Sequence, residues 1–467
     1  MTLFGTAGIR GPVGDRVTPS LALAVGQAAG EPGASFVVGI DGRETSQALA
    51  AAATAGLASA GANVRRVGRV PTPALAHASR GRRGLMITAS HNPPTDNGIK
   101  LFVDGVEYDR AAERAVEAGV EEPALADWDR WGVVDRETVL SRYRRAVETY
   151  VREAFRDAPR DAGSDRTPDP DRPLAGLSIA VDCGTGVGGL ATPQVLDRLG
   201  ADVVALNANV DGHFPARESK PTPETLTDLS RFLETGSYDL GLAQDGDADR
   251  LVALGPNGEP VHEDTVLAVV AERYVRTATV DDPVVVTTPN ASARIDERVR
   301  AAGGRVERVR LGALHEGMSR VRNGAGQETA VVFAAEPWKH VYPAFGGWID
   351  GVASAAVVAA LVARAGDVET LREPVTERPY RKVSVPCPDD AKVGSMDHLE
   401  TALPDRFDDV SVDTDYGIRL EFPDASWLLV RPSGTEPYVR LYAESDDVEA
   451  LVSEARGEIE AAVDAAS

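Results

Sequence analysis

Three times along this 467-residue chain a short apolar run leads into a polar turn, a helix and a further strand introduced by glycine. The first copy reads Ser35-Phe36-Val37-Val38-Gly39-Ile40, then Asp41-Gly42-Arg43, an alanine-rich helix over about Ser46 to Ser59, and Gly61-Ala62-Asn63-Val64. The second reads Leu177-Ser178-Ile179-Ala180-Val181, Asp182-Cys183-Gly184, a helix to Leu199, and Gly200-Ala201-Asp202-Val203. The third reads Pro283-Val284-Val285-Val286, Thr287-Thr288-Pro289, a helix to Ala302, and Gly303-Gly304-Arg305-Val306. Short apolar runs bounded by turn residues are buried strands. Three such units predict three related α/β domains, with the loops at the strand ends free to carry function.

The boundaries fall between the copies. An amphipathic segment from about Glu137 to Phe155 predicts a helix leaving the first domain. Pro159 to Pro173, rich in Pro, Asp and Gly, reads as a linker. Gly347 to Ala365 predicts a Val- and Ala-rich helix. Beyond Arg372 the pattern changes. Lys382-Val383-Ser384-Val385, Ile418 to Phe422 and Trp427 to Val430 read as strands, and about Asp447 to Ala466 as a closing helix. The expected domains are 1–155, 174–255, 256–370 and 378–467, the last a small α+β domain without a copy of the repeat.

Charge narrows the partners. A net charge of -23 opposes binding to nucleic acid or to an anionic membrane, and leaves room for small anions at a local positive site. Lysine is confined to Lys100, Lys220, Lys339, Lys382 and Lys392, and arginine supplies the remaining cations. An acidic surface with arginine in place of lysine points to a halophilic host, a haloarchaeon. No apolar run reaches a membrane span, and the N-terminus lacks the basic-then-apolar pattern of a signal peptide. Cys183 and Cys387 lie far apart and form no metal spacing, so a reducing cytoplasm is expected.

Four stretches carry chemistry. Thr88-Ala89-Ser90-His91-Asn92-Pro93 follows the apolar Leu85-Met86-Ile87 and should present Ser90 at the rim of a sheet. Asp245-Gly246-Asp247-Ala248-Asp249-Arg250 places three carboxylates on a tight loop, able to converge on one hard cation, Mg²⁺. An EF-hand would want glycine and glutamate where Arg250 and Pro256 stand. Arg431-Pro432-Ser433-Gly434-Thr435-Glu436-Pro437 offers a guanidinium, two hydroxyls and backbone amides to a phosphate. Phe4-Gly5-Thr6-Ala7-Gly8-Ile9-Arg10-Gly11 is a glycine-rich opening from which Arg10 could reach another. Glu336-Pro337-Trp338-Lys339-His340 is a weaker candidate for a sugar: Glu336 to accept from hydroxyls, Trp338 to stack, His340 as a polar neighbour. Lys100 stands ten residues after Ser90. Gly184, Gly186 and Gly189 fit a dinucleotide fingerprint, but the following strand ends Ala205-Leu206-Asn207 without the acidic residue, so they read as turn glycines.

Taken together, these stretches resemble the α-D-phosphohexomutase family over essentially the whole chain. The resemblance implies three α/β domains and a smaller fourth domain around a central cleft. It implies Ser90 as a phosphoserine, Asp245, Asp247 and Asp249 with that phosphate as the Mg²⁺ site, and Arg10, His91, Lys100 and Arg250 around the transferring group. Lys100 is then the general acid/base. Arg431, Ser433, Gly434 and Thr435 would hold the other phosphate. The family's sugar loop reads Glu-x-Ser-x-His. Glu336 and His340 match it, whereas Trp338 replaces the serine and Lys339 the usual glycine; a loop around Gly312 corresponds loosely to a second specificity loop. The implied reaction interconverts hexose 1- and 6-phosphates through a 1,6-bisphosphate that also primes the enzyme. Phosphomannomutase/phosphoglucomutase is the first choice and phosphoglucosamine mutase the alternative; a silent sugar-phosphate-binding paralogue is the non-enzyme alternative. A monomer or homodimer is expected.

Overall fold

The computed structural model describes residues 3–5, 7–156, 169–324, 326, 328–433 and 436–466. Most of the expected linker, residues 159–168, lies outside the described residues. The chain divides into two compact units, Met1–Val266 with Trp338–Arg372, and Leu267–Pro337 with Glu373–Ser467.

The first unit holds two sheets. One runs in the order Ile9–Pro12, Asp96–Val103, Arg83–Ile87, Ser35–Ile40, Asn63–Arg69, Val134–Arg136, with Val106–Glu107 beside Asp96–Val103. The first repeat copy builds its parallel part, Arg83–Ile87 and Asn63–Arg69 flanking Ser35–Ile40. Arg83–Ile87 then turns back antiparallel into Asp96–Val103, with Met86 opposite Lys100 and Ile87 opposite Ile99. The loop between these two strands carries Ser90. Helices Pro19–Ala29 and Ser46–Ser59 pack together where only glycine fits: a Cβ on Gly26 would lie 2.3 Å from the Ala53 carbonyl oxygen, and one on Gly56 2.2 Å from that of Leu23.

The second sheet has the order Leu251–Leu254, Leu240–Gln244, Ser178–Asp182, Asp202–Leu206, the first pair antiparallel and the rest parallel. The second repeat copy does not continue in one helix. A 3₁₀ turn over Val187–Leu190 is followed by a fresh α-helix at Thr192–Arg198, with Pro193 in its first turn. Proline lacks the N–H that a continuing helix would need, and is tolerated only where a helix begins. The Val- and Ala-rich helix starts at Gly351, not Gly347, because Asp350 caps it by accepting from the Ala353 amide at 2.8 Å. Gly351–Ala365 is buried at every position but Arg364. It packs on helices Leu140–Phe155 and Thr192–Arg198 and on the strands Leu240–Gln244 and Leu251–Leu254.

In the second unit, Asp282–Thr287 runs parallel to Arg305–Arg308 on one side and Thr329–Glu336 on the other. The remaining sheet is antiparallel, in the order Tyr380–Pro386, Tyr438–Glu444, Trp427–Pro432, Ile418–Glu421, Ser411–Asp413. Helices Lys392–Asp405 and Val448–Ala466 bury Leu399, Leu403 and Ile459 against Leu420, Leu428 and Leu441 of this sheet. The molecule is thus α/β in three repeats with mixed sheets, closed by a smaller α+β domain. Among the described residues no helix is long and apolar enough to cross a membrane.

Candidate active site

Two loops meet in the first unit. The strand Leu240–Gln244 returns as Leu251–Leu254 with Gln244 opposite Leu251, so Asp245 to Arg250 form the connecting hairpin loop. Its carboxylates are almost fully buried, and their ligand atoms lie within 4.8 Å of one another. Ser90 is fully buried, and its Oγ donates to Asp245 Oδ2 at 2.6 Å. The residue stands in the left-handed region at φ 51°, which a non-glycine residue adopts only when its surroundings impose it.

The charges around this pair are mixed. Lys100 Nζ lies 2.9 Å from Asp249 Oδ2, and Arg250 Nε 3.8 Å from both Asp245 Oδ2 and Asp249 Oδ1. Arg10 pairs opposite Gly98 on the strand that bears Lys100, and its buried Nε has no hydrogen-bond partner. Burial, then the Asp249 and Asp247 carboxylates, push Asp245 above the usual carboxylate range. Burial would raise Asp249 too, but Lys100 and Arg250 outweigh it and hold that carboxylate well below its usual range. Burial alone would lower Lys100; the Asp249, Glu107 and Asp247 carboxylates reverse the sign and keep it a cation. His91 sits with Nδ1 3.4 Å from Ser90 Oγ, and burial, with Arg250 and Arg10 nearby, pushes it down to about 2. It is a neutral ring.

Thr88 of the serine motif and several residues outside the motifs hold this arrangement. The Thr72 and Thr88 hydroxyls donate to Asp247 Oδ2 at 2.7 and 3.2 Å, leaving the buried Oδ1 without a partner; Asp249 Oδ1 likewise has none. Arg217 donates to Asp182 Oδ2 at 2.6 Å and to the Gln244 carbonyl at 2.7 Å, bracing the strand that enters the carboxylate loop. Asp41 and Asp182 both stand at the polar turn of a repeat copy, and each pairs with an arginine, Arg43 and Arg217. That shared position was the one legible signal for this set.

The sugar-loop candidates divide. Glu336, at the end of Thr329–Glu336 in the second unit, accepts from the Gly312 amide at 2.6 Å. Trp338 belongs to the first unit, has φ 69°, and packs on the cluster of Leu226, Leu229 and Leu233. Lys220 Nζ lies 5.9 Å from its ring centre. The Trp338 carbonyl accepts from the Leu251 amide at 2.9 Å, one residue past Arg250. His340 is not on a surface: it is 1% exposed, with Nδ1 3.1 Å from Ser354 Oγ.

In the second unit Arg431 closes the strand Trp427–Pro432 and donates to Tyr442 Oη at 3.1 Å. Its buried Nε and the buried Ser433 Oγ have no hydrogen-bond partner. Lys392 Nζ holds the loop from beneath, donating to the Ser433 and Glu436 carbonyls at 2.7 Å each. Gly434 and Thr435 lie outside the described residues.

A buried serine bonded to one of three carboxylates and ringed by cations is equipped to move an anionic group. Known proteins agree with that class. Family models described as phosphoglucomutase/phosphomannomutase match at residues 1–126 (alpha/beta/alpha domain I), 165–258 (alpha/beta/alpha domain II) and 383–461 (C-terminal domain). A phosphopentomutase of Thermococcus kodakarensis is 38% identical over 95% of this chain and 94% of its own. A probable phosphoglucosamine mutase of Methanopyrus kandleri is 40% identical over 96% and 94%. The crystal structure of a phosphoglucomutase/phosphomannomutase family protein from Burkholderia thailandensis superposes with a TM-score of 0.82 at 25% identity, covering 100% of this chain and 97% of that one. The chain belongs to the α-D-phosphohexomutase family. Its members are phosphomutases, which are isomerases.

Proposed function

We propose that this phosphomutase interconverts sugar 1-phosphates with their terminal phosphates, carrying the migrating group on Ser90. The observation that carries this reading is the Ser90 hydroxyl, buried and bonded at 2.6 Å to one carboxylate of a triad. A hydrolase would need the neighbouring histidine as a base, but the serine donates to Asp245 at 2.6 Å with His91 Nδ1 3.4 Å away, and burial beside Arg250 and Arg10 makes that ring a poor proton acceptor.

The triad fits a magnesium ion. It offers hard oxygen donors within one short span, and Asp247 Oδ1 and Asp249 Oδ1 are buried without hydrogen-bond partners. Mg²⁺ held by Asp245, Asp247 and Asp249 would neutralise charge on the phosphoryl oxygens. The other tasks fall to the chain. Phospho-Ser90 gives its phosphoryl group to the free hydroxyl of a sugar monophosphate: the P–Oγ bond breaks, a P–O bond to the sugar forms, Ser90 Oγ takes a proton from the Lys100 ammonium, and Lys100 recovers one from the sugar hydroxyl. The resulting bisphosphate reorients and returns its other phosphoryl group to Ser90. Phosphoryl transfer asks mainly for positioning and charge neutralisation. Arg10, Arg250 and Lys100 supply positive charge, with Lys100 assigned the proton transfers. Arg431, Ser433, Gly434 and Thr435 are assigned the phosphate at rest, supported by the unpartnered Arg431 Nε and Ser433 Oγ.

The sugar is a hexose in this reading, with glucosamine standing at least level with glucose and mannose because relatives are named for it. The relative named phosphopentomutase adds a pentose as a second reading, favoured by Trp338 standing where the family loop would offer a hydroxyl. A coupled assay with Mg²⁺, high salt and a catalytic amount of hexose 1,6-bisphosphate decides. Isomerisation of glucose, mannose or glucosamine phosphate supports the hexose reading; turnover of ribose phosphates alone replaces it with the pentose one. Silence on all four overturns the mutase reading, and inorganic phosphate released without isomerisation indicates a phosphatase.

A further inference from the structure

We propose that Arg43 and Ser219 act together as a clamp on the Ser90 peptide, and are positioning residues for the phosphoryl carrier. The proposal rests on the reading of Ser90 given above. Arg43 is buried, and every side-chain donor it has is used. Nε donates to Asp41 Oδ2 at 3.1 Å, Nη1 to the Pro93 and Asp96 carbonyls at 2.5 and 2.9 Å, and Nη2 to the Ser90 and Asn92 carbonyls at 2.8 and 2.7 Å. Four of these five acceptors are backbone oxygens, three in the loop that bears Ser90 and the fourth at Asp96, where the next strand begins. Asp41 is fixed in turn by Ser46 Oγ at 2.7 Å and by Thr88 Oγ1 at 2.8 Å.

Ser219 reaches the same carbonyl from the other side. Its Oγ donates to the Ser90 carbonyl at 2.8 Å and accepts from the Gly246 amide at 3.1 Å. One hydroxyl thus ties the carrier loop to the carboxylate loop. The space is tight: a Cβ on Gly246 would lie 2.6 Å from Ser219 Oγ and 2.9 Å from the Ser90 carbonyl oxygen.

The physical need is the backbone of Ser90. A φ of 51° is disfavoured for a residue with a Cβ, so a loop free to relax would leave it. Two donors converging on the carbonyl of that same residue set its peptide plane, and with it the direction of Oγ toward Asp245. Transfer rates are steep in such geometry: a misplacement of about 1 Å costs on the order of 10²-fold. Lysine cannot replace Arg43, because one ammonium cannot span four carbonyls.

The test compares Ser219→Ala and Arg43→Lys with the wild type. Both should fold, with Ser219→Ala melting near the wild-type temperature. We expect kcat to fall by roughly 10- to 100-fold with KM for the sugar phosphate little changed, together with faster hydrogen exchange confined to residues 88–96. Ser219→Ala with wild-type kcat and exchange would overturn the clamp, as would a loss expressed in KM alone. Hydrogen exchange needs no turnover. A wild type that shows no mutase activity, but whose 88–96 segment loosens in Ser219→Ala, would therefore sink the mutase reading and leave the clamp standing.

Discussion

At the scale of single residues, the lysines are the most informative. An otherwise arginine-based chain keeps five; Lys100 is buried, Lys220, Lys339 and Lys392 are half-buried, and Lys382 is exposed. Lys100 bonds Asp249, Lys220 lies over Trp338, Lys382 lies 5.6 Å from the Tyr442 ring centre, and Lys392 holds the Ser433 loop. Lys339 directly follows Trp338, and its charge acts on both His91 and Asp249. Trp338 is the residue by which the segment 336–340 departs most from the Glu-x-Ser-x-His pattern. Trp338→Ser should lower the midpoint of urea unfolding through lost packing on Leu226 and Leu229, by roughly 1–3 kcal/mol. It should also change the order of rates among glucose, mannose and glucosamine phosphates. An unaltered order would show that position 338 does not select the sugar.

At the scale of elements, the carboxylate loop owes its shape to neighbours distant in sequence. The helix Gly351–Ala365 begins beneath it, so closely that a Cβ on Gly351 would lie 2.6 Å from the Ala248 carbonyl oxygen. Helix Thr72–Ala78 contributes Thr72, which donates to Asp247 Oδ2 and leaves Oδ1 facing the triad. Thr72→Val keeps the shape and removes that donor. We expect Mg²⁺ affinity, measured by calorimetry and by the Mg²⁺ dependence of turnover, to weaken about 10- to 100-fold; unchanged affinity would make Thr72 a packing residue. The short strand Lys339–Val341 carries His340, which burial pushes down from 6.5 to about 3. Between those values the unfolded chain holds a proton that the folded one lacks, so stability rises with pH and is lost as pH falls from about 6.5 toward 3. The slope should be roughly 1.4 kcal/mol per pH unit for this one histidine. His340→Asn should flatten the acid limb of a urea-midpoint-against-pH curve by that amount.

At the scale of the whole molecule, a net charge of -23 is spread over a single chain. Simple screening of such repulsion is nearly complete by about 1 M salt, where the Debye length is only about 3 Å. A halophilic protein, the host class proposed from composition, should go on gaining stability and activity from about 1 M to several molar KCl. A plateau below about 1 M would mean an ordinary acidic surface. The second unit has its own reinforcement. Arg294 and Glu444, both buried and 2.8 Å apart, join helix Arg294–Ala301 to the C-terminal sheet beside Trp427.

The sequence by itself determined the repeats, because short apolar runs and turn residues encode strands and their ends locally. It determined the carboxylate triad for the same reason: three aspartates on one tight loop have little choice but to converge. Helix starts were less legible, since Pro193 and Asp350 act through backbone capping that periodicity does not register. Only the tertiary structure decided which residues support the serine. Arg43, Thr72 and Ser219 are unremarkable in the chain, and the partners that tie them to the serine and carboxylate loops lie 27 to 175 positions away. It also decided the burial of His340, because burial depends on what packs over a strand and not on the strand's own residues. Motifs record groups that act on a substrate from one loop; the hydrogen bonds that aim those groups are made between loops, and exist only once the chain has folded.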